Sequence, residues 1–191
     1  MRRLSPAALR DLEHGPTAAY YEEYRLLNRE LAETVTELAA TVREHRHEAI
    51  AIEPTSNDAT AAEPLYSHKS AATRAGLGWI GKTGLFVSAE LGPAVRLASV
   101  FTDLELTSGH PVVSGRCGDC RRCVDACPAQ AGRDVCWSAG MPRDQILDAA
   151  ACERHMAQTS TRFNGSICGI CIAVCPYTEA VLRHGRESAS A

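Results

Sequence analysis

CGDCRRCVDACP, residues 117–128, carries Cys117, Cys120, Cys123 and Cys127 and closes on Pro128. A second run, CGICIAVCP over 168–176, carries Cys168, Cys171 and Cys175 and closes on Pro176. The first reads C-x2-C-x2-C-x3-C-P, a spacing that holds 4Fe–4S clusters. Three thiolates at successive two-residue gaps wrap one face of a cubane. The fourth, just before a proline that turns the chain away, points across to a second cluster. The second run supplies the reciprocal half. Two 4Fe–4S clusters and movement of electrons follow from these seven cysteines.

Two rival readings fit less well. A disulfide framework suits short secreted chains with an even cysteine count, whereas this chain has nine cysteines in 191 residues. Zinc is the better rival, since C-x2-C knuckles bind it. Zinc sites usually pair two knuckles at a distance, and three cysteines at consecutive two-residue gaps crowd one centre instead.

The second run is one ligand short. A symmetric arrangement would place a cysteine three residues before Cys168, where Gly165 stands. The eighth thiolate therefore comes from Cys136 or Cys152. Cys152 falls in an expected helix, PRDQILDAAACERHM, with Ile146, Leu147, Ala150 and Ala151 as its apolar stripe. Cys136 lies in a Gly-rich turn region beside Trp137 and reads equally as a small buried hydrophobe. A helix holds a thiolate rigidly, which favours Cys152. The expected wiring is Cys117, Cys120, Cys123 and Cys175 on one cluster, with Cys127, Cys152, Cys168 and Cys171 on the other.

Composition is that of a folded globular chain: 45% hydrophobic and 23% charged residues, with a net charge of −3. That balance gives no electrostatic footprint for nucleic acid. No apolar run reaches the ~18–20 residues that span a bilayer. The pair Arg2-Arg3 is also found in twin-arginine export signals, but MRRLSPAALRDLEHG lacks the apolar region such a signal needs. Free thiols and labile clusters imply a reducing compartment, so the expected location is cytoplasmic.

Outward from the cysteines the chain divides by composition. Ser5 caps an expected first helix, PAALRDLEH, which Gly15-Pro16 ends. A long helix follows from about Thr17 to His45. Its core stripe is expected at Tyr20, Tyr24, Leu27, Leu31, Val35, Leu38 and Val42. EAIAIE (48–53) reads as a strand, PTSNDATAAEP (54–64) as a polar loop and SHKSAATRAG (67–76) as a short helix. GLFVSAE and AVRLASVFTDLEL, joined by Leu91-Gly92-Pro93, read as buried strands with a tight connection. TSGHPVVSGR (107–116) is an expected linker, and the last residues, HGRESASA, a disordered tail.

GLGWIGKT (76–83) satisfies the Walker A pattern through Gly76, Gly81, Lys82 and Thr83, and a dinucleotide pattern through Gly76, Gly78 and Gly81. Both motifs need a strand before the loop and a helix after it, so that the helix N-terminus meets the phosphate. Here helix-favouring SAATRA precedes and strand-like GLFVSA follows. The context excludes a nucleotide site.

AGLGWIGKTGLFVSAELGPAVRLASVFTDLEL (75–106), followed by CGDCRRCVDACP and CGICIAVCP, resembles epoxyqueuosine reductases and, with them, reductive dehalogenases. The resemblance covers about residues 60–180. It implies an α+β chain: a partial nitroreductase-like α/β domain over 1–110, a dicluster bacterial-ferredoxin-like domain over 111–180, and a flexible tail over 181–191. It maps the cluster ligands onto the eight cysteines that include Cys152. It also implies a corrinoid cofactor, cobalamin, near His68, Lys69 and the strip Gly76, Gly78, Trp79, Gly81 and Lys82. The chain departs from the pattern in three places. The family's α/β domain starts upstream of this chain's first residue, and its helical repeats for tRNA are absent after the clusters. Its acidic D-x-x-P-x-L-E-R segment aligns with AEPLYSHKSAA (62–72), which has no aspartate and places His68 at the glutamate.

His68 is equally a hydrogen-bonded structural histidine. Arg96 and Asp103 flank an expected buried strand and pair or snorkel there. His110 is positioned to hydrogen-bond a cluster sulfur and tune its potential. The functional expectation is an iron–sulfur oxidoreductase whose clusters feed electrons to a corrinoid or substrate at the face formed by 66–104, with reduced ferredoxin or flavodoxin as donor. The alternative is an electron-transfer module that docks a partner enzyme.

Overall fold

Ser5, Thr17 and Ser67 each start a helix by the same device: the side-chain oxygen accepts from the backbone N–H three residues on, at 3.2–3.3 Å. The helices are α1 (Pro6–Leu9), α2 (Ala18–Glu44) and α3 (His68–Arg74) in a computed structural model that describes residues 1–54, 67–159 and 162–179. The loop expected at 54–64, beyond Pro54, and the tail from 181 lie outside the described residues.

The expected first helix breaks after Leu9, because Asp11 adopts a left-handed φ of 59° before a 3-10 turn, Leu12–His14. The break directs Leu12 inward, where it is fully buried. The long helix α2 forms as expected, but its stripe drifts. Tyr20, Leu27, Leu31, Val35 and Ala39 are buried, while Leu38 is 51% exposed. Steps of four from Leu31 and Val35 lead to Ala39, so Leu38 turns toward solvent.

The strands are β1 (Arg2–Arg3), β2 (Ala49–Ile52), β3 (Gly78–Ile80), β4 (Phe86–Ser88), β5 (Val95–Arg96) and β6 (Ser99–Thr102). Among the described residues they pair as three antiparallel ribbons, β1–β5, β2–β6 and β3–β4. The 88–92 connection is tight, with Ser88 N–H and Gly92 N–H each donating to the other's carbonyl. Beyond it, the expected single buried strand splits into β5 and β6, which serve different ribbons. Its burial is also less than expected: Ile50 and Phe101 face one another across β2–β6 and are 62% and 43% exposed. The ribbon's other neighbour is α2.

After α4 (Arg122–Asp125) and a 3-10 turn (Arg143–Gln145) come α5 (Ala149–Thr159) and α6 (Ile170–Ala173). The expected helix 142–156 begins late. Ile146 O accepts from Arg133 N–H and Leu147 bridges to Gly132, so both stay in loop pairing. Asp148 then caps α5, accepting from Ala151 N–H at 2.9 Å.

Two cores hold the chain together, and each draws on both sides of position 110. One joins Leu4, Leu9, Leu12, Tyr20 and Leu27 to Phe163 and Ile167. The other joins Trp79, Ile80 and Val87 to Trp137 and Ile146, with Cys117 and Tyr177 packed against it. No described helix is long and apolar enough to cross a membrane.

Candidate metal centre

The two cysteine runs fold in the same way. Gly118, at φ 50°, bends the chain so that Cys120 N–H donates to Cys117 O at 3.1 Å. One turn of helix, α4, follows with Cys123 as its second residue. In the other run Gly169, at φ 94°, caps α6, and Cys171 is the second residue of that helix. The two short helices pack together, and Arg122 reaches Glu179 at 2.5 Å across them.

Five of the thiols report their neighbours through their acidity. Burial first, then the charges of Cys175, Cys117 and Cys120, pushes the Cys123 thiol up to about 11. Cys175 is raised by burial and by Cys117 and Cys120, while N–H groups of Tyr177 and Thr178 oppose the rise. A second circle contains Cys171, raised by burial and then by Cys168, Cys123, Cys152 and Cys127. Cys152 is raised by burial, then by Cys127 and Cys168. Cys168 is raised by burial, with Ile170 and Gly169 N–H groups donating to it and Cys127 adding its charge. Ala131 N–H lies 3.5 Å from Cys127 Sγ. Cys136 stands apart: it is exposed, against the reading of a buried hydrophobe, and it donates to Gly118 O at 3.5 Å.

Gly165 has a steric reason. A Cβ there would stand 3.3 Å from Cε2 of Tyr21, whose hydroxyl donates to Asn164 O at 2.5 Å. The ring from α2 fills the ground that a symmetric cysteine would need, and α5 brings Cys152 instead to Cys127 and Cys168.

The donor set fits a cubane. No three described Cys, His, Asp or Glu side chains converge closely enough to share one metal ion. The thiols nevertheless act on one another in two overlapping groups, Cys123 and Cys175 with Cys117 and Cys120, and Cys171 with Cys168, Cys152, Cys127 and also Cys123, and a cubane takes one thiolate at each corner iron. Backbone N–H groups aimed at Cys127, Cys168 and Cys175 suit sulfurs that carry negative charge.

The Gly-rich strip meets protein on every side that a side chain would occupy. A Cβ on Gly76 would lie 2.6 Å from His110 O, and one on Gly78 only 2.0 Å from Val87 O. One on Gly81 would lie 2.9 Å from Val87 Cγ2 and 3.9 Å from Cys117 Sγ. Gly81 N–H and Gly84 N–H close the β3–β4 hairpin. The motif thus runs helix, strand, turn, strand. Trp79 is 1% exposed, and the buried Lys82 ammonium donates to Asp134 Oδ1 at 2.9 Å. His110 meets the strip through its carbonyl.

His68 and Lys69 line a cavity of about 400 Å³ with Tyr20, Arg96, Arg143 and Ile172 among its walls. Both His68 nitrogens are engaged, Nδ1 with Ser99 Oγ and Nε2 with Glu53 O, each at 2.9 Å. Burial lowers its basicity, which favours the neutral ring. Lys69 Nζ donates to Gly84 O at 2.7 Å. Burial, then the Arg143 charge, brings its amine down to about 8. Arg96 stacks on Tyr24 and donates to Asn28. Asp103 accepts from Glu48 N–H and lies 3.3 Å from His47. Sequence reasoning placed Tyr20 in the core stripe of the long helix rather than at a site, and nothing local marks Arg143.

Residues 116–178, which hold both cysteine runs, match the 4Fe-4S double cluster binding domain. The relatives are reductases. The chain is 37% identical over 123 residues to an epoxyqueuosine reductase of Lactococcus garvieae, covering 59% of this chain and 32% of that one. It is 35% identical over 141 residues to a tetrachloroethene reductive dehalogenase of Dehalobacter restrictus, covering 66% and 24%. The solved structure of a catabolic reductive dehalogenase superimposes with a TM-score of 0.73 at 21% identity, over 99% of this chain and 26% of that one, a likeness of fold. The chain spans about a quarter to a third of the length of the curated relatives.

Proposed function

We propose that this chain is the electron-carrying part of a reductase. Two 4Fe–4S clusters, one on Cys117, Cys120, Cys123 and Cys175 and one on Cys127, Cys152, Cys168 and Cys171, pass electrons to an acceptor in the cavity beside His68 and Lys69. One observation carries the reading: Ile172, the residue after Cys171, lines that cavity together with Tyr20, whose ring lies 3.1 Å from the Cβ position of Gly169, the residue after Cys168. Each cluster cycles by one electron, so two reduced clusters supply a two-electron reduction, with protons drawn from water. Lys69, Arg96 and Arg143 bring positive charge to the cavity and hold an acceptor that carries or gains negative charge. The reading includes a reduced ferredoxin or flavodoxin as donor and a cytoplasmic setting, where thiols stay reduced.

A reductive dehalogenase with this fold is B12-dependent, and cobalamin is the cofactor we carry over from it. The residues present fit it in part. A cavity of about 400 Å³ lies in the small-ligand range and is too small for a whole corrinoid. His68 and Lys69 stand where one edge of such a ring would lie, while Gly76, Gly78, Trp79, Gly81 and Lys82 pack against protein. Bound cobalamin would supply a metal centre that accepts single electrons. The chain's own part is to place that edge next to the Cys171 side and to shield it from water. We also assign 1–110 to a partial nitroreductase-like domain, on the strength of α2 packed beneath β2–β6, with 111–180 as the dicluster domain and 181–191 as its tail.

The partial fit favours a second reading, a ferredoxin-type module that docks a partner enzyme. Anaerobic purification with iron, sulfide and corrinoid analysis tests the first. About eight iron and eight sulfide per chain are expected, with EPR signals from both clusters on reduction. Stoichiometric zinc would overturn the assignment. Titration of cob(II)alamin then separates the two readings: a perturbed cobalt EPR spectrum supports the cavity, and an unperturbed one leaves the docking module.

A further inference from the structure

Trp79 is the least exposed large side chain in the molecule's second core, yet its indole N–H has no hydrogen-bond partner among the described residues. It is the only buried side-chain nitrogen or oxygen there without one. Leaving such a donor unpaired costs on the order of 1–3 kcal/mol, so a buried indole N–H normally finds an acceptor. The surroundings of the ring indicate which acceptor. Arg116, the residue before Cys117, holds its guanidinium 5.6 Å from the indole centroid. Tyr177, two residues after Cys175, stands edge-on to it at 4.9 Å, and the Tyr177 hydroxyl donates to Arg116 O. Trp79 stands directly opposite Val87 across β3–β4, so their side chains share a face, and a Cβ on Gly81, just past β3, would lie 2.9 Å from Val87 Cγ2 on that face. The Cβ position of Gly81 points within 3.9 Å of Cys117 Sγ, so this face looks toward the Cys117 thiol.

We propose that Trp79 Nε1–H donates a hydrogen bond to a sulfur of the cluster held by Cys117, Cys120, Cys123 and Cys175, and so tunes its potential. The inference rests on the ligand assignment above. A cubane presents inorganic sulfides and thiolate sulfurs, acceptors that the bare thiols do not provide in the same place. A donor to a cluster sulfur favours the reduced, more negative state and raises the potential. Gly81 keeps the approach clear, and Gly78 lets β3 close on Val87. The Gly-rich strip thereby becomes a mount for one tryptophan beside one cluster.

The test uses the anaerobic two-cluster protein. Iron content and two EPR signals establish the ligand assignment first. In wild type labelled with 15N-tryptophan, pulsed EPR of the reduced protein should show a nitrogen and an exchangeable proton coupled to one cluster. Trp79→Phe keeps the aromatic body and removes the donor. Its midpoint potential should fall for one cluster only, with the couplings lost. Trp137→Phe, a change in the same core, should leave both potentials in place. If the wild-type protein has both clusters but shows no coupled nitrogen, the inference fails whether or not Trp79→Phe is stable. Unchanged potentials in a two-cluster Trp79→Phe protein would also overturn it, with the cluster assignment intact.

Discussion

Gly165 and Cys152 divide between them a task that a symmetric motif would give to one residue. Tyr21 occupies the space beside Gly165, and Cys152 answers the charges of Cys127 and Cys168 from the first turn of α5. Cys152→Ser should therefore remove one cluster or convert it to a three-iron form in the EPR spectrum. Cys136→Ser, at an exposed thiol held to Gly118 O, should leave the spectrum unchanged. Lys69 offers a second measurement at this scale. Its amine is lowered from 10.5 to about 8 by burial, with Arg143 adding to the effect. Arg96, Arg143, the His68 ring and Tyr20 share the cavity with it. Between pH 8 and 10.5 the unfolded chain keeps the lysine proton that the folded chain has lost, so this group makes stability rise with pH across that window. Lys69→Met should abolish the rise. The check is the difference in thermal midpoint between wild type and variant at pH 7 and pH 10; a difference that does not change with pH would refute it.

α2 illustrates what periodicity reads well and where it slips. Its 27 residues begin at the Thr17 cap and end where both the cap and the stripe run out. The phase is the weaker inference, because 3.6 residues per turn leaves 38 and 39 both near the seam. The core chooses the smaller, placing Ala39 inside and Leu38 outside. Leu31→Ala, at a site 2% exposed, should cost about 2–5 kcal/mol. Leu38→Ala should stay within about 0.5 kcal/mol. Denaturant midpoints of the two anaerobic holoproteins check this, and equal losses would show that Leu38 is packed after all. α5 slipped for a different reason. Ile146 and Leu147 carry a helical pattern, but pairing with residues 132 and 133 holds them in a loop, which no local periodicity records.

At the scale of the whole molecule, the clusters and the cores depend on one another. Leu4, Leu12 and Tyr20 pack with Phe163 and Ile167, and Trp79 packs with Trp137, so the cysteine-bearing loops form walls of both cores. Burial raises the bare thiols, and metal must displace their protons to bind, so cluster binding free energy becomes folding free energy. Removing the clusters with a chelator under reducing conditions should lower the thermal midpoint of the entire chain and abolish the near-ultraviolet circular dichroism of both tryptophans. Retention of the Trp79 signal in the apoprotein would show that the second core stands without them.

The sequence alone marked a double-cluster cysteine pattern, which the family match bears out, and the long amphipathic helix, which the structure contains. Thiolate spacing and helical period are local and are written in consecutive residues. It narrowed the eighth ligand to Cys136 or Cys152 and leaned toward Cys152 through the helix argument, a choice that the two serine variants test. It marked GLGWIGKT as special and excluded a phosphate loop from the order of its neighbours. Only the tertiary structure decided what the glycines do, because their reason is contact with Val87, His110 and Cys117, up to 36 positions away in the chain. The same holds for the cavity, whose walls run from Leu4 to Ile172. Contacts between distant segments depend on how the cores pack them, and packing leaves no period in the sequence.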